Sequence, residues 1–177
     1  MPNHCHNDLY IEGSARQVAA ILSLVGADKE APEFNFNKIL PYPENFAERD
    51  REFAALGWKA AEEKYGAGAK DGYNSGGYEW CTENWGTKWN AYEVARRDYF
   101  GVCITFQTAW CPPLAVIAAL HVMFPDCGFT LEFFERGAEF SGGVRFDAKS
   151  EYDEDDSWAP GVPGDKWEGR YSGTRGG

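Results

Sequence analysis

One short segment of the chain, Asn84-Trp85-Gly86-Thr87-Lys88-Trp89-Asn90, combines side chains suited to holding a flat ligand. An aromatic ring that stacks on a nucleobase contributes about 1 to 3 kcal/mol and accepts any base, and a lysine ammonium binds phosphate oxygens. Gly86 would allow the tight bend that lets these side chains surround a ligand. We therefore predict a binding site for a small nucleotide-like molecule, composed of Asn84, Trp85, Thr87, Lys88, Trp89, Trp110 and Arg136.

The same segment has a second interpretation, in which it only packs. Tryptophan that is buried usually belongs to a hydrophobic core. Trp85 and Trp89 would then plug one face of a sheet, Gly86 would make a turn, and Lys88 would be a solvated surface charge. Both interpretations remain open on the sequence alone.

Residues for catalysis or metal binding are sparse. His4 and His6 lie two positions apart, which on a strand places both on one face, and a third ligand would be needed to hold a metal. Cys5 between them would point to the other face, and no serine or cysteine elbow is present. We therefore predict no catalytic residue, no metal and no cofactor. A phosphodiesterase-like enzyme that uses His4 and His6 with a further acid or base stays as an alternative.

The first elements that must position this site are predicted to be a strand, a helix and a second strand. Leu9–Ile11 precedes a turn, and Ser14 with Gln17 forms a capping box at the start of a helix. Apolar residues then recur at helical spacing until Gly26, namely Val18, Ile21, Leu22 and Val25. Alternation in Phe34–Ile39 predicts the second strand.

The remaining elements follow from the same rules. Residues 44–65 predict one or two surface helices, and alternation predicts a strand at Val102–Thr108. Two prolines precede the apolar segment Leu114–Phe124, which suits a buried helix with proline in its first turn. The alternating segments Phe129–Phe133 and Val144–Ala148 predict a hairpin.

Two β-α-β units around one antiparallel sheet are the ferredoxin-like arrangement, an α+β fold, here in the order β-α-β, insertion, β-α-β-β. Helices would cover one face of the sheet. The aromatic-rich insertion, at about residues 43–100, would cover the opposite face. This domain would span residues 1–148, followed by a tail at 149–177 that is acidic and then rich in glycine and proline.

Composition limits the partners that the protein can have. With 28 acidic against 17 basic residues the net charge is −11, so we predict no direct nucleic-acid binding, which needs basic surface. Five cysteines without a C-x-x-C pair are typical of reduced thiols. The N-terminus lacks the pattern of a secretory signal, and the apolar stretch 112–125 is shorter than the about 20 residues that cross a bilayer. We therefore expect a cytoplasmic protein with no membrane partner.

Four motifs carry a resemblance to a known family: Met1–Asn7, Phe34–Ile39 followed by Pro41 and Pro43, Glu83–Ala91, and Thr108–Pro113. They resemble the YubB ferredoxin-like family of phage, prophage and plasmid proteins, over most of residues 1–146. The chain departs from that pattern at His4, where tryptophan is common, and at Cys111, where serine is common. The resemblance implies a ferredoxin-like sheet and an origin in a mobile element, and it implies no reaction.

These observations favour a phage-type accessory protein that sequesters a small, nucleotide-like host signalling molecule as a counter-defence, without catalysis. The alternative is an acidic inhibitor of a host protein, or a DNA mimic. That alternative needs carboxylates in an ordered row, whereas the first function needs a basic pocket in an acidic body. The partner would be the small ligand or a host protein, and homodimerisation through the sheet face or an edge strand stays open.

Overall fold

The computed structural model describes residues 3–98 and 101–148. Within those ranges one antiparallel sheet contains five strands: β1 His4–Glu12, β2 Tyr92–Arg97, β3 Val102–Ala109, β4 Gly128–Glu135 and β5 Phe140–Phe146. The α-helices of this part are α1 Ala15–Val25, α2 Glu44–Leu56, α3 Trp58–Tyr65, α4 Gly77–Asn84 and α5 Leu114–Met123. The spatial order of the strands is β2-β3-β1-β4-β5.

The strand order identifies a ferredoxin-like fold with one added strand. The units β1-α1-β2 and β3-α5-β4 interleave so that β1 lies between β3 and β4, and β5 pairs with the outer edge of β4 through a hairpin. The predicted α+β ferredoxin-like class is therefore confirmed. The predicted helices, the strand at 102–108 and the C-terminal hairpin are also found, with shifted ends.

Local signals explain the start and end of α1. The Ser14 side chain accepts a hydrogen bond from the Gln17 amide, and the Gln17 side chain accepts one from the Ser14 amide, so the capping box is complete. Gly26 ends the helix at φ +85°, a left-handed conformation that a side chain disfavours. The apolar stripe between these caps then faces the sheet.

The core lies between the sheet and the helices on one of its faces. Alternate residues of β1 point into it, including Leu9 and Ile11, and they pack with Ile21 of α1 and Ile117 of α5. The other residues of β1, including His6, face the opposite side of the sheet. The end of the sheet where β1 begins and β3 and β4 end is the end that carries the predicted site.

The prediction of a strand at Phe34–Ile39 was wrong. Residues Phe36–Lys38 form a 3-10 turn instead, capped by the Asn35 side chain, which accepts a hydrogen bond from the Asn37 amide. Phe34 and Phe36 alternate with polar residues because both rings insert into the core from an irregular segment. The alternation of apolar and polar residues in this segment therefore indicates which side chains are buried, although the backbone is not a strand.

The insertion begins where it was expected, but its end and the face of the sheet that it covers differ from the expectation. The helices α2, α3 and α4 lie in the connection between α1 and β2, and Tyr92–Arg97 at the end of the expected insertion is a strand of the sheet. Trp85 and Phe36 from this connection join the same core as Ile104. The insertion thus extends the helical side of the sheet and does not cover the opposite face. The predicted tail at 149–177 lies outside the described residues.

Candidate functional site

Trp110 lies in a strained turn directly after β3. Its φ is +76°, and the Cys111 amide donates to the carbonyl of Ala109 at 3.0 Å, which closes a three-residue γ-turn. A bulky residue in this conformation costs about 1 to 3 kcal/mol and persists only where its surroundings impose it. The indole is nevertheless 52% exposed. The strain therefore presents an aromatic ring to solvent.

A buried polar layer beneath the turn imposes this conformation. The Trp110 amide donates to the carbonyl of Asn3 at 3.0 Å, and the Thr108 hydroxyl donates to the carbonyl of Cys111 at 2.8 Å. The Asn7 amide group in turn donates to the Thr108 hydroxyl at 2.9 Å, and both side chains are buried. The first residues of β1 thus hold the end of β3.

Thr87 attaches the predicted binding segment to the same place. Its buried hydroxyl donates to the carbonyl of Ala109 at 2.9 Å and accepts from the Ala109 amide at 3.1 Å. Gly86 has φ +77°, and a Cβ there would approach the carbonyl oxygen of Pro112 to 3.3 Å. The predicted bend at Gly86 is therefore confirmed, and it brings Lys88 to the end of β3.

Lys88, Trp89 and Trp110 form what we call the cation-aromatic patch. The Lys88 ammonium nitrogen lies 4.2 Å from the centroid of the Trp110 ring and 5.7 Å from that of Trp89. Trp89 is 38% exposed. Cation–π contacts at exposed sites are worth about 0.5 to 1 kcal/mol, and they help to place the Lys88 ammonium. Among residues 3–98 and 101–148, no carboxylate forms an ion pair with Lys88. The patch offers exposed indole surface beside a positive charge.

Two of the predicted site residues are directed away from the patch. Trp85 is only 4% exposed, its ring packs edge-on against Phe36 and Trp80, and its indole N–H donates to the carbonyl of Leu40 at 2.9 Å. The Asn84 side chain donates to the carbonyl of Trp80 at 2.9 Å, within its own helix. The interpretation in which the segment only packs therefore holds for Trp85, whereas Trp89 is exposed.

Arg136 lies at the same end of the sheet, in the turn after β4. Because β1 separates β3 from β4, the main chain at Arg136 lies two strand spacings from the main chain at Trp110, or about 10 Å. The turn packs tightly on Asn3, directly before β1, since a Cβ on Gly137 would lie 2.0 Å from the side-chain nitrogen Nδ2 of Asn3. Arg136 is thus a neighbour of the patch across β1 and not a member of it.

Sequence reasoning missed Tyr92 as a neighbour of this end of the sheet. The Tyr92 hydroxyl lies 2.7 Å from Nδ1 of His4 and donates to the carbonyl of Thr108 at 3.3 Å. His4 and His6 share one face, as predicted, and burial, with a smaller contribution from His4, lowers the pKa of His6. Tyr92 would have been found only by recognising β2, whose bulge breaks the alternation of the sequence.

The thiols of Cys5, which is buried, and Cys111, which is exposed, are not activated as nucleophiles. Burial raises the pKa of the Cys5 thiol to about 12, and burial and Glu135 raise that of Cys111, so neither favours the thiolate at neutral pH. The Glu135 carboxylate accepts hydrogen bonds from the amides of Gly137 and Ala138, which holds the β4–β5 turn.

Among residues 3–98 and 101–148, no three His, Cys, Asp or Glu side chains are grouped to bind a metal ion. None of the described helices has the length and apolar character to span a membrane.

Comparisons with known proteins agree with the fold. No curated protein gives a significant match to the chain. A crystal structure of a protein api92 from Yersinia pseudotuberculosis is similar, with a TM-score of 0.51 and 9% identity over 93% of this chain and 98% of that one. At that identity the likeness shows the fold alone. Residues 78–161, which include the patch, match the family model described as a ferredoxin-like domain in Api92-like protein.

Proposed function

We propose that the protein binds and sequesters a small nucleotide-like molecule at the cation-aromatic patch, without catalysing a reaction on it. The observation that supports this proposal is the strained turn that keeps Trp110 exposed beside Lys88. A nucleobase stacks on the exposed indole surface, and the Lys88 ammonium binds a phosphate oxygen. Strained backbone that is held by its surroundings clusters at functional sites, which favours a role for this turn.

The acidic composition of the chain is compatible with such a ligand. A net charge of −11 excludes a broad basic surface, but it does not exclude one cation placed beside two aromatic rings. Stacking supplies most of the affinity in this arrangement, and a single charge adds a preference for a phosphorylated ligand. We therefore expect modest affinity for any base and a dependence on phosphate.

The biological role follows from the origin that the resemblance implies. As an accessory protein of a phage, prophage or plasmid, the protein acts in the host cytoplasm and removes a nucleotide-like signal that the host uses for defence. This role needs binding alone, and it therefore matches a patch that lacks an activated nucleophile among the described groups.

The acidic-mimic alternative receives less support. A DNA mimic needs carboxylates in an uninterrupted row, whereas the acids on α2 and α3 alternate with bases. Glu44 pairs with Arg51, and Glu52 pairs with Lys64. These ion pairs divide the negative charge of the two helices.

The experiment that tests the proposal is calorimetry with AMP, GMP, adenosine and a set of cyclic dinucleotides. Trp110→Ala removes the stacking surface and is expected to weaken binding about 5- to 100-fold. Lys88→Gln is expected to lower the affinity for nucleotides. The affinity for adenosine should not change, because adenosine has no phosphate.

Trp58→Ala is the matched control, since Trp58 is also exposed but lies on α3 against Phe53. We expect it to bind like the unchanged protein. Absence of binding to every probe at about millimolar concentration, which corresponds to a binding free energy of about −4 kcal/mol, would refute the proposal. So would equal affinities of the Trp110→Ala variant and the unchanged protein.

A further inference from the structure

A groove runs along the outer edge of β2 and begins beside Asn90, in the loop that also carries Lys88 and Trp89. Among the described strands, β2 is the first in the order of the sheet and pairs with β3. An edge strand directs a row of main-chain N–H and C=O groups outward, where an extended chain can pair with them. Residues 27–35, which follow α1, form the other wall of this groove.

Two adjoining cavities make up the groove. One has a volume of about 390 Å³ and is lined by Phe34, Asn90 and Tyr92, among others. The other has a volume of about 580 Å³ and extends past Arg96. Pro32 and Val94 line both, so the cavities form one channel that follows β2.

The groove is acidic. Its lining includes five carboxylates, Asp28, Glu30, Glu33, Glu93 and Asp98, against two cations, Lys29 and Arg96. Both cations are engaged, since Lys29 lies 3.2 Å from Glu33 and Arg96 lies 2.7 Å from Asp98. The Glu93 carboxylate accepts a hydrogen bond from the Gln107 side chain on β3 at 2.6 Å, so the excess negative charge of the channel comes mainly from Asp28 and Glu30. This charge disfavours a phosphate and favours a cation.

We propose that this groove binds an extended, positively charged segment of a partner protein by strand addition to β2. Main-chain hydrogen bonds to the edge supply affinity, and lysine or arginine side chains of the segment meet the carboxylates, which supplies specificity. This interaction is separate from the ligand of the cation-aromatic patch.

The local geometry limits the length of this pairing and its partners. A bulge at Glu93, with φ +50°, interrupts the register between Tyr92 and Ala95, so regular pairing spans Ala95–Arg97. Pairing with a second copy of the chain through this edge would bring two acidic grooves together. A basic peptide avoids that repulsion, and for this reason we assign the groove to a peptide.

The test uses two short fluorescein-labelled peptides, one of alternating lysine and threonine and one of alternating glutamate and threonine. We expect the lysine peptide to bind the full chain and to lose affinity as salt is raised, and the glutamate peptide not to bind. Hydrogen–deuterium exchange of residues 92–97 is expected to slow in the presence of the lysine peptide. The variant Asp28→Lys with Glu30→Lys should bind the lysine peptide about tenfold more weakly.

The control is Glu48→Lys with Glu63→Lys, which changes the net charge equally but alters exposed residues of α2 and α3. We expect this control, and Trp110→Ala, to bind the lysine peptide like the unchanged protein. Equal binding of the two peptides, equal loss in both charge variants, or unchanged exchange at β2 would each overturn the proposal. A dimer in sedimentation experiments that protects residues 92–97 would also overturn it, in favour of a second copy.

Discussion

Trp110 and Trp85 show at the scale of single residues how one residue type takes opposite roles. Trp85 satisfies its indole N–H on the carbonyl of Leu40 and is buried among aromatic rings. Trp110 is exposed on a backbone that disfavours any side chain. The ring of Trp85 therefore belongs to the core, whereas the strained backbone of Trp110 places its ring at the surface.

A comparison of Trp110→Gly with Trp110→Ala separates the backbone of this turn from its ring. Both variants lack the indole and are expected to lose stacking, but only alanine keeps a Cβ at φ +76°. We expect the glycine variant to be more stable in urea unfolding by about 0.5 to 1 kcal/mol, after its larger unfolded-state entropy is included. Equal stability of the two variants would show that the turn is not strained.

The loop at residues 86–90 is the element that carries the candidate site. It has no regular structure, and its position depends on Thr87, whose hydroxyl bridges the amide and the carbonyl of Ala109. The strand predicted at Val102–Thr108 ends one residue before Ala109, to which this loop is attached. Nothing local in the loop indicated where it would dock, because its partner lies 22 residues further along the chain.

We expect Thr87→Val to affect both stability and binding. Valine has nearly the same shape but leaves two main-chain groups of Ala109 without this partner, which costs about 1 to 3 kcal/mol. Lys88 and Trp89 lose their fixed position, so nucleotide affinity falls as well. Urea unfolding and calorimetry measure the two effects. Thr82→Val is the control, since that hydroxyl bonds only within α4, and an equal loss of stability there would contradict this explanation.

At the scale of the whole molecule, α2 and α3 form a unit that is weakly joined to the main core. The buried residue Phe53 packs against Trp58 and Tyr65 of α3, and it lies outside the core cluster that contains Ile104 and Leu131. Regions with few core contacts open at a lower free energy than the sheet. The insertion therefore adds surface to the domain more than it adds to its stability.

Native-state hydrogen exchange tests this division. We expect the amides of α2 and α3 to exchange at lower denaturant than those of β1, β3 and β4. Phe53→Ala should speed exchange in α2 and α3 and leave the sheet nearly unchanged. Leu22→Ala, in the main core, should speed exchange throughout the sheet. If the amides of α2, α3 and the sheet exchanged through one common unfolding event in the Phe53→Ala variant, the division into two units would be contradicted.

The sequence by itself determined the elements whose signals are local. The capping box at Ser14, the left-handed stop at Gly26, the alternation of β3 and the C-terminal hairpin follow from neighbouring residues. The ferredoxin-like class was predicted correctly, although the second strand of the sheet is Tyr92–Arg97 and not the predicted Phe34–Ile39. The Phe34–Ile39 segment failed because alternation records which side chains are buried and not what the backbone does. Its backbone is directed instead by Asn90, whose side chain accepts from the Phe36 amide at 2.9 Å.

Only the tertiary structure decided which aromatic residues face solvent. The exposure of Trp110 depends on Asn3 and Asn7 at the start of β1, and the burial of Trp85 depends on Leu40. These partners lie tens of residues away along the chain, so no local pattern contains them. The acidic groove at β2 arises in the same way, from the approach of residues 27–35 to a strand that begins at Tyr92. Exposure and charge at a site are properties of neighbours in space, and the fold alone determines those neighbours.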